Sequence, residues 1–216
     1  MEIVPLAAGA TLLEAGDDVA HAHFPLGGAV VSVVLAMRDG RTVEAATVGR
    51  EGALGGVVSR GQAPAYGRAV VQLPGHAVRI PVARVEALKR DAPELQDILV
   101  RYADCLTAQA LQSVGCATLH SLEARCARWL LLMHDRVRDP ELHLTQEALA
   151  EMLGVARTYL TRIALRLQQR GPISYRRGVV RVEDRALLEE VSCECYGTVR
   201  RHFERVLPGL YPALED

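Results

Sequence analysis

The sequence changes its pattern near residue 80. Before that point, closely spaced glycines separate short segments rich in β-branched residues, among them residues 29–35, 42–48, 68–73 and 77–80. Strands this short and this regularly spaced predict an antiparallel sandwich or barrel. Asp39-Gly40 predicts the turn of a hairpin, because glycine accepts the positive φ that a type I′ turn requires. The first part of the chain is therefore predicted to be a β domain.

A long helix is predicted to follow this β domain. After Pro81 no glycine occurs until Gly115, and Pro93 suits the first turn of a helix. Apolar residues then recur at helical spacing, forming a stripe of Leu95, Ile98, Leu99, Tyr102, Leu106 and Ala110. This stripe can pack against its own domain or against a second copy of the chain, and its length favours a dimer. A further helix is predicted over Leu122–Val137.

Residues 144–167 have the pattern of two helices joined by a tight turn. Thr145 is the predicted N-cap of the first helix, and Gly154 supplies the left-handed conformation that ends it. The second helix would bury an apolar face of Leu160, Ile163, Ala164 and Leu167. Its opposite face is polar near the N-terminal end, which is the end that enters the major groove in a helix-turn-helix. Residues 173–182 then predict a hairpin with arginines at its tip, as in a wing that lies on the phosphate backbone.

Charge supports DNA as the partner of this segment. The net charge of the chain is −1, yet seven arginines and no acidic residue lie between Val155 and Val182. A local excess of this kind is typical of a phosphate-binding surface. Arginine can bond guanine O6 and N7 together, and threonine can contact a base edge. The residues predicted to contact DNA are Thr145, Gln146, Arg157, Thr158, Tyr159, Thr161, Arg162, Arg166, Arg176 and Arg177.

These motifs resemble the Crp/Fnr family of regulators over nearly the whole chain. The strongest part is residues 144–182, preceded by a helix over residues 122–131, and residues 24–30 and 48–55 look like the sensor domain of that family. The resemblance implies an α+β protein with an N-terminal β-roll of the cyclic-nucleotide-binding type, a long dimerisation helix and a C-terminal winged helix-turn-helix. The corresponding boundaries are 1–92, 93–118 and 119–216. It also implies a homodimer on a palindromic operator with half-sites about one helical turn apart.

The sequence departs from this family at three places. Members that bind cyclic nucleotides hold the ribose with a Gly-Glu pair, and here the pair is Gly55-Gly56. Arg68-Ala69 is a candidate remnant of the phosphate site, since arginine pairs well with phosphate. Half a site argues against cyclic AMP as the effector, and the absence of N-terminal cysteines argues against an iron–sulfur cluster. Thr158 stands where members that read the best-known operator have glutamate, which predicts a different half-site.

The five cysteines are predicted to be ordinary helix residues. They are Cys105, Cys116, Cys126, Cys193 and Cys195, an odd number that suits a reducing compartment better than a disulfide framework. The Cys193-Glu194-Cys195 segment is too tightly spaced for a zinc knuckle, and the sequence offers no second pair. His21 and His23 share one face of a predicted strand and are expected at the surface. No metal site or cofactor is predicted.

Together these features predict a homodimeric, sequence-specific transcription regulator in the cytoplasm, without a secretory signal or a membrane span. The expected partners are double-stranded DNA, a second copy of the chain, RNA polymerase and an unidentified small-molecule effector. Two alternatives stay open. One is a regulator that responds to a cyclic nucleotide through backbone amides in place of the missing carboxylate. The other is a protein-interaction module whose basic hairpin contacts an acidic partner. No nucleophile elbow, P-loop or paired carboxylate points to an enzyme.

Overall fold

The N-terminal part of the chain forms two antiparallel sheets. The computed structural model describes residues 1–56, 63–137 and 139–211. One sheet has the strand order β1-β7-β3 and the other β2-β6-β4-β5, and together they form the predicted β domain. Small and β-branched residues such as Ala29, Val31 and Val71 fill the space between the sheets because they pack closely on a pleated surface. The strands are β1 Glu2–Leu6, β2 Thr11–Leu13, β3 His21–Leu26, β4 Val30–Ala36, β5 Thr42–Val48, β6 Arg68–Leu73 and β7 Gly75–Pro81.

The hairpin between β4 and β5 turns at the expected place but with a different geometry. Gly40 has the left-handed φ of 83° that the sequence predicts, whereas Asp39 has no positive φ. The Gly40 amide donates to the Met37 carbonyl at 3.0 Å, and the Met37 amide donates to the Arg41 carbonyl at 2.8 Å. The prediction of a type I′ turn is therefore wrong, because that turn needs a positive φ at both central residues.

Two helices, α1 Val82–Asp91 and α2 Pro93–Leu119, follow the β domain. The predicted stripe on α2 packs mainly on its own chain: Leu99 and Tyr102 are buried, and Leu106 packs half-buried on the β core. A second apolar set on α2, consisting of Val100, Leu111 and Val114, is exposed. Ile98 of the predicted stripe is exposed as well. The sequence pattern predicts a single stripe and does not indicate this second apolar face, which is free to meet another molecule.

The C-terminal part contains a helical unit with a small sheet. Its elements are α3 Leu122–Val137, β8 Glu141–His143, α4 Gln146–Leu153, α5 Arg157–Arg170, β9 Ile173–Arg176, β10 Val179–Val182, α6 Arg185–Val191 and α7 Cys195–Val206. The sheet has the order β8-β10-β9, and a core that includes Trp129, Leu149, Leu160 and Val180 holds the unit together. The last helix, α7, instead packs its Val199 and Phe203 into the core of the β domain. No helix within the described residues is long and apolar enough to cross a membrane.

A buried ion pair fixes the helical unit to the β domain. Arg136 on α3 donates through Nε to Glu51 at 2.8 Å, and both side chains are 1% exposed. The other guanidinium nitrogens of Arg136 donate to the carbonyls of Leu132 and Thr47. Nearby, a Cβ at Gly52 would lie 2.0 Å from the Tyr102 hydroxyl, so only glycine lets α2 approach this loop. This junction sets the orientation in which the rest of the C-terminal unit is presented.

Candidate nucleic-acid interface

Helices α4 and α5 form the predicted helix-turn-helix. The Thr145 hydroxyl accepts a hydrogen bond from the Ala148 amide at 3.1 Å, which confirms the N-cap and satisfies one free amide of the first turn. Gly154 ends α4 with a φ of 68°. The next residue, Val155, is half-buried and packs against the core of the helical unit. Local sequence signals therefore account for both ends of α4.

The second helix, α5, has a buried and an exposed face. Leu160, Ile163, Ala164 and Leu167 are buried, which confirms the predicted apolar side. The opposite side carries five exposed candidate residues: Arg157, Thr158, Tyr159, Arg162 and Arg166. Tyr159 is 50% exposed at the N-terminal end of the helix, where a planar ring is available to a nucleic acid or another partner. The exposed end of α5 thus presents donors in the arrangement that a recognition helix needs.

Two of the candidate residues bond to each other. The Thr161 hydroxyl donates to Gln146 Oε1 at 2.9 Å and also lies 3.0 Å from the Arg157 carbonyl. Both side chains are half-buried. This bond connects the start of α4 to the first half of α5. Gln146 and Thr161 therefore fix the position of the two helices relative to each other, and they also lie at the proposed DNA-binding surface.

Strands β9 and β10 form the predicted wing. Arg177 and Gly178 at its tip have φ values of 50° and 79°, and the paired residues Arg176 and Val179 flank them. Two positive φ values in a two-residue loop are typical of a type I′ hairpin. The Tyr175 hydroxyl donates to the Leu144 carbonyl at 2.8 Å and so fixes the wing to the segment before α4. Arg176 and Arg177 are exposed at the tip.

The seven arginines of the basic segment divide into two groups. Arg170 pairs with Glu123 at 3.0 Å, and Arg181 pairs with Glu141 at 3.2 Å. In the part of the chain that the structure describes, no ion pair engages the other five, namely Arg157, Arg162, Arg166, Arg176 and Arg177. All five are exposed, and all five are among the residues that the sequence predicts to contact DNA. Their positive charges are available to an anionic partner.

An apolar cavity of about 740 Å³ lies where the β domain, α2 and the helical unit meet. Val33, Leu35 and Val43 line it from the sheets, and Ala110 and Ser113 line it from α2. The C-terminal unit contributes a further wall, which consists of Arg125, Arg128, Trp129, Met152 and Leu153. A ligand in this cavity would contact the β domain, α2, α3 and α4 together.

The predicted effector residues do not all face this cavity in the same way. Gly55, Gly56 and Ala69 line its wall. Arg68 instead donates through Nη2 to Glu151 on α4 at 2.9 Å, and Thr42 donates to the same oxygen at 3.2 Å. The candidate phosphate-binding arginine thus already has a carboxylate partner, and that partner belongs to the helix-turn-helix.

The polar groups that the C-terminal unit contributes around this cavity were not predicted from the sequence. Arg128 is 8% exposed, and its Nε and Nη1 atoms find no hydrogen-bond partner among the described residues. Trp129 donates through Nε1 to Glu44 on β5 at 3.0 Å. Nothing in the spacing of residues 122–137 indicates that these side chains reach the β domain. His23 also differs from expectation: it is 7% exposed, because β3 places it inside the sheet, and burial lowers its pKa.

Comparisons with known proteins agree with this geometry. Residues 124–191 match the family model of the Crp-like helix-turn-helix domain. Among solved structures, FixK2 from Bradyrhizobium japonicum is 14% identical with a TM-score of 0.74, over 89% of this chain and 97% of that one. TTHA1359 from Thermus thermophilus, a Crp/Fnr-family transcriptional regulator, is 20% identical with a TM-score of 0.69, over 88% and 98%.

A third structure is CLP from Xanthomonas campestris, described as a c-di-GMP-responsive global regulator. It is 17% identical with a TM-score of 0.65, over 84% of this chain and 93% of that one. A comparison with curated protein sequences finds no match. The resemblance inferred from the sequence is thus confirmed for the helix-turn-helix domain and for the fold, including the α+β arrangement of β domain, long helix and helix-turn-helix.

Proposed function

We propose that this chain is a homodimeric, sequence-specific DNA-binding transcription regulator that acts in the cytoplasm. The proposal is supported by its Crp-like helix-turn-helix domain and by a fold similar to that of Crp/Fnr regulators. The observation that supports this most directly is the set of five exposed arginines on α5 and the wing that have no ion pair with any described residue. Exposed arginines at a helix end and a hairpin tip match the two places where a winged helix-turn-helix touches DNA. Contact with RNA polymerase stays a prediction.

The exposed arginines of α5 and those of the wing would have different tasks. Arg157 and Arg162 lie toward the N-terminal end of α5, so they would reach base edges in the major groove, where arginine bonds guanine with two hydrogen bonds. Thr158 lies between them and would contact a base edge or a thymine methyl group. Arg176 and Arg177 would hold phosphates, which positions the protein without reading sequence.

The exposed apolar face of α2 is the proposed dimer contact. Val100, Leu111 and Val114 are 56%, 69% and 68% exposed. Thr107 lies on the same face, and the 7-residue steps from 100 to 107 and from 107 to 114 match a heptad seam. Two copies packed along this face would place their helix-turn-helix units on either side of a two-fold axis. The operator would then be palindromic.

The apolar cavity is the proposed effector site, with an effector other than cyclic AMP. Its wall offers Gly56 where a ribose-binding carboxylate would stand, and Arg68 is engaged by Glu151. A cyclic phosphate at Arg68 would have to compete with that carboxylate. A ligand in the cavity would contact both the β domain and α4, so its binding free energy would depend on their relative position, which is what allostery requires.

In vitro selection from a random duplex library tests the DNA-binding proposal. The wild-type chain is expected to select a palindrome, and the Arg162→Ala variant is expected to blur one position symmetrically in each half-site. Arg170→Ala is the matched control, because Arg170 lies on the same helix but pairs with Glu123. Weak binding to every duplex without a shared motif would favour the protein-interaction module instead.

Calorimetry tests the effector proposal separately. Cyclic AMP and cyclic GMP, titrated into the full chain at high micromolar concentration, are expected to give no binding heat. Saturable heat that disappears in the Arg68→Ala variant would overturn the proposal and establish the cyclic-nucleotide alternative. Heat that persists in that variant would contradict the proposal as well, and would place the nucleotide away from Arg68.

A further inference from the structure

Three of the five cysteines converge with a histidine at the C-terminal end of α2. The donor atoms of Cys116, His120, Cys193 and Cys195 all lie within 4.8 Å of one another. Cys116 lies in the last turn of α2 and His120 directly follows that helix, whereas Cys193 lies between α6 and α7 and Cys195 is the first residue of α7. All three cysteines are buried, and His120 is half-buried. The sequence shows Cys193-Glu194-Cys195 as an isolated pair, because its partners lie more than seventy residues earlier.

Two of the distances between these atoms are close to the edges of one coordination tetrahedron. Cys116 Sγ and Cys193 Sγ are 3.5 Å apart, and Cys195 Sγ and His120 Nδ1 are 3.4 Å apart. Zinc bonds of about 2.3 Å to sulfur and about 2.0 Å to nitrogen give tetrahedral edges of roughly 3.8 Å and roughly 3.5 Å. An iron–sulfur cluster spreads its ligands over several iron atoms and therefore needs a wider opening. The geometry fits a single ion.

The groups around the cluster have the arrangement of an outer ligand shell. His120 presents Nδ1 to the cluster, and its Nε2 lies 3.2 Å from Glu194 Oε1, an arrangement that fixes the ring and its tautomer at metal sites. Gln112 donates through Nε2 to Cys195 Sγ at 3.0 Å. Three thiolates around a divalent ion leave a net charge of −1.

We propose that Cys116, His120, Cys193 and Cys195 bind one zinc-class divalent cation in a closed tetrahedral site. Four protein ligands leave no position for water or substrate, so the ion is structural and not catalytic. The ion connects the end of α2 to the start of α7. The end of α2 is also the point at which the chain passes through Ser121 into α3. The bound cation therefore holds the C-terminal unit in its orientation to α2.

Metal analysis and a cobalt titration test the site without any DNA. The full chain, purified under reducing conditions without added chelator, is expected to contain one zinc per chain. After chelator removes the metal, Co²⁺ is expected to bind one to one, with thiolate-to-cobalt charge transfer and the visible bands of tetrahedral cobalt. Added Zn²⁺ should abolish those bands. A fully reduced chain that binds neither metal would overturn the proposal. So would a metal-free chain with a Cys116–Cys193 disulfide that still binds no metal after the disulfide is reduced.

Variants assign the binding to these residues. Cys193→Ser is expected to lose the tetrahedral cobalt spectrum, whereas Cys126→Ala, which removes a buried thiol outside the cluster, is expected to keep it. Glu194→Gln keeps the fold intact because that side chain is 74% exposed. It should weaken metal affinity about 10- to 100-fold through the orientation of His120. Glu190→Gln is its matched control and should leave affinity unchanged. An unaltered cobalt spectrum in Cys193→Ser would refute the assignment.

Discussion

Arginines at the junction between the two domains and arginines on the proposed DNA-binding face have opposite surroundings. At the junction, Arg136 is 1% exposed and bonded to Glu51 and to backbone carbonyls. On α5, Arg157 and Arg162 are exposed, and neither has an ion pair among the described residues. The acceptors around Arg136 offset the cost of burying its guanidinium, whereas an exposed guanidinium keeps its donors for a partner. Burial and pairing, rather than residue type, thus separate an arginine that holds the fold from one that can bind DNA.

The largest effect is expected at the junction. Arg136→Met leaves the Glu51 carboxylate buried without its partner, which costs on the order of 3–5 kcal/mol. Urea unfolding of the full chain measures this loss as a change in the free energy of unfolding. The double variant Arg136→Met/Glu51→Gln removes both charges and is expected to recover part of it. A single variant as stable as the wild type would show that the pair contributes nothing to the junction.

On the DNA-binding face the effect should appear in binding and not in stability. Arg157→Ala is expected to weaken binding to the selected operator by about 1–3 kcal/mol, because it removes one bidentate contact to a base. Its unfolding free energy should change by less than about 0.5 kcal/mol, as is usual for a surface substitution. Fluorescence anisotropy with labelled operator measures the affinity.

The control for that substitution lies on the same helix. Arg170→Ala breaks an exposed pair with Glu123, which is expected to matter by less than about 1 kcal/mol in stability and little in binding. Equal losses of affinity in Arg157→Ala and Arg170→Ala would mean that α5 contributes only general positive charge, and that the division into free and paired arginines carries no functional information.

Arg185 lies between these extremes and introduces a pH dependence. It donates to Asp135 and to Nδ1 of His134, each at 2.8 Å. Burial, and then the charge of Arg185, lower the pKa of His134 below its ordinary value. The unfolded chain therefore binds a proton at a pH where the folded chain does not, so this interaction is intact above about pH 6.5 and is lost on acidification.

Unfolding experiments between pH 7.5 and pH 5.5 measure that loss. The wild type should lose stability as the pH falls, by at most about 1.4 kcal/mol per pH unit for one proton. His134→Gln keeps an acceptor for Arg185 but cannot take up a proton, so its profile should be flatter. His23, whose pKa is also lowered by burial, remains in both chains and cancels in the comparison. Parallel profiles would show that His134 does not titrate as proposed.

Local features were predictable from the sequence and long-range contacts were not. Thr145, Gly154 and the apolar face of α5 lie where spacing and capping rules place them, because neighbours within one or two turns determine those conformations. The Arg68–Glu151 bond and the four-residue cluster at His120 join residues far apart in the chain, and no local pattern specifies such a pairing. The stripe on α2 was found, but its pattern does not show which apolar residues face the same chain and which face outward.

The smallest effect separates two arginines of the wing. Arg176 is exposed beside the tip of β9 and has no ion pair among the described residues, whereas Arg181 on β10 pairs with Glu141. If Arg176 contacts a phosphate, Arg176→Ala should reduce the slope of log affinity against log salt by about 1, and by the same amount on operator and unrelated duplex. Arg181→Ala should leave the slope unchanged, since its charge is already neutralised within the protein. Anisotropy titrations at several salt concentrations give both slopes. Equal slopes in the two variants would place the phosphate contact elsewhere on the wing. A loss of affinity for the operator alone would instead mean that Arg176 contacts bases, as proposed for Arg157 and Arg162.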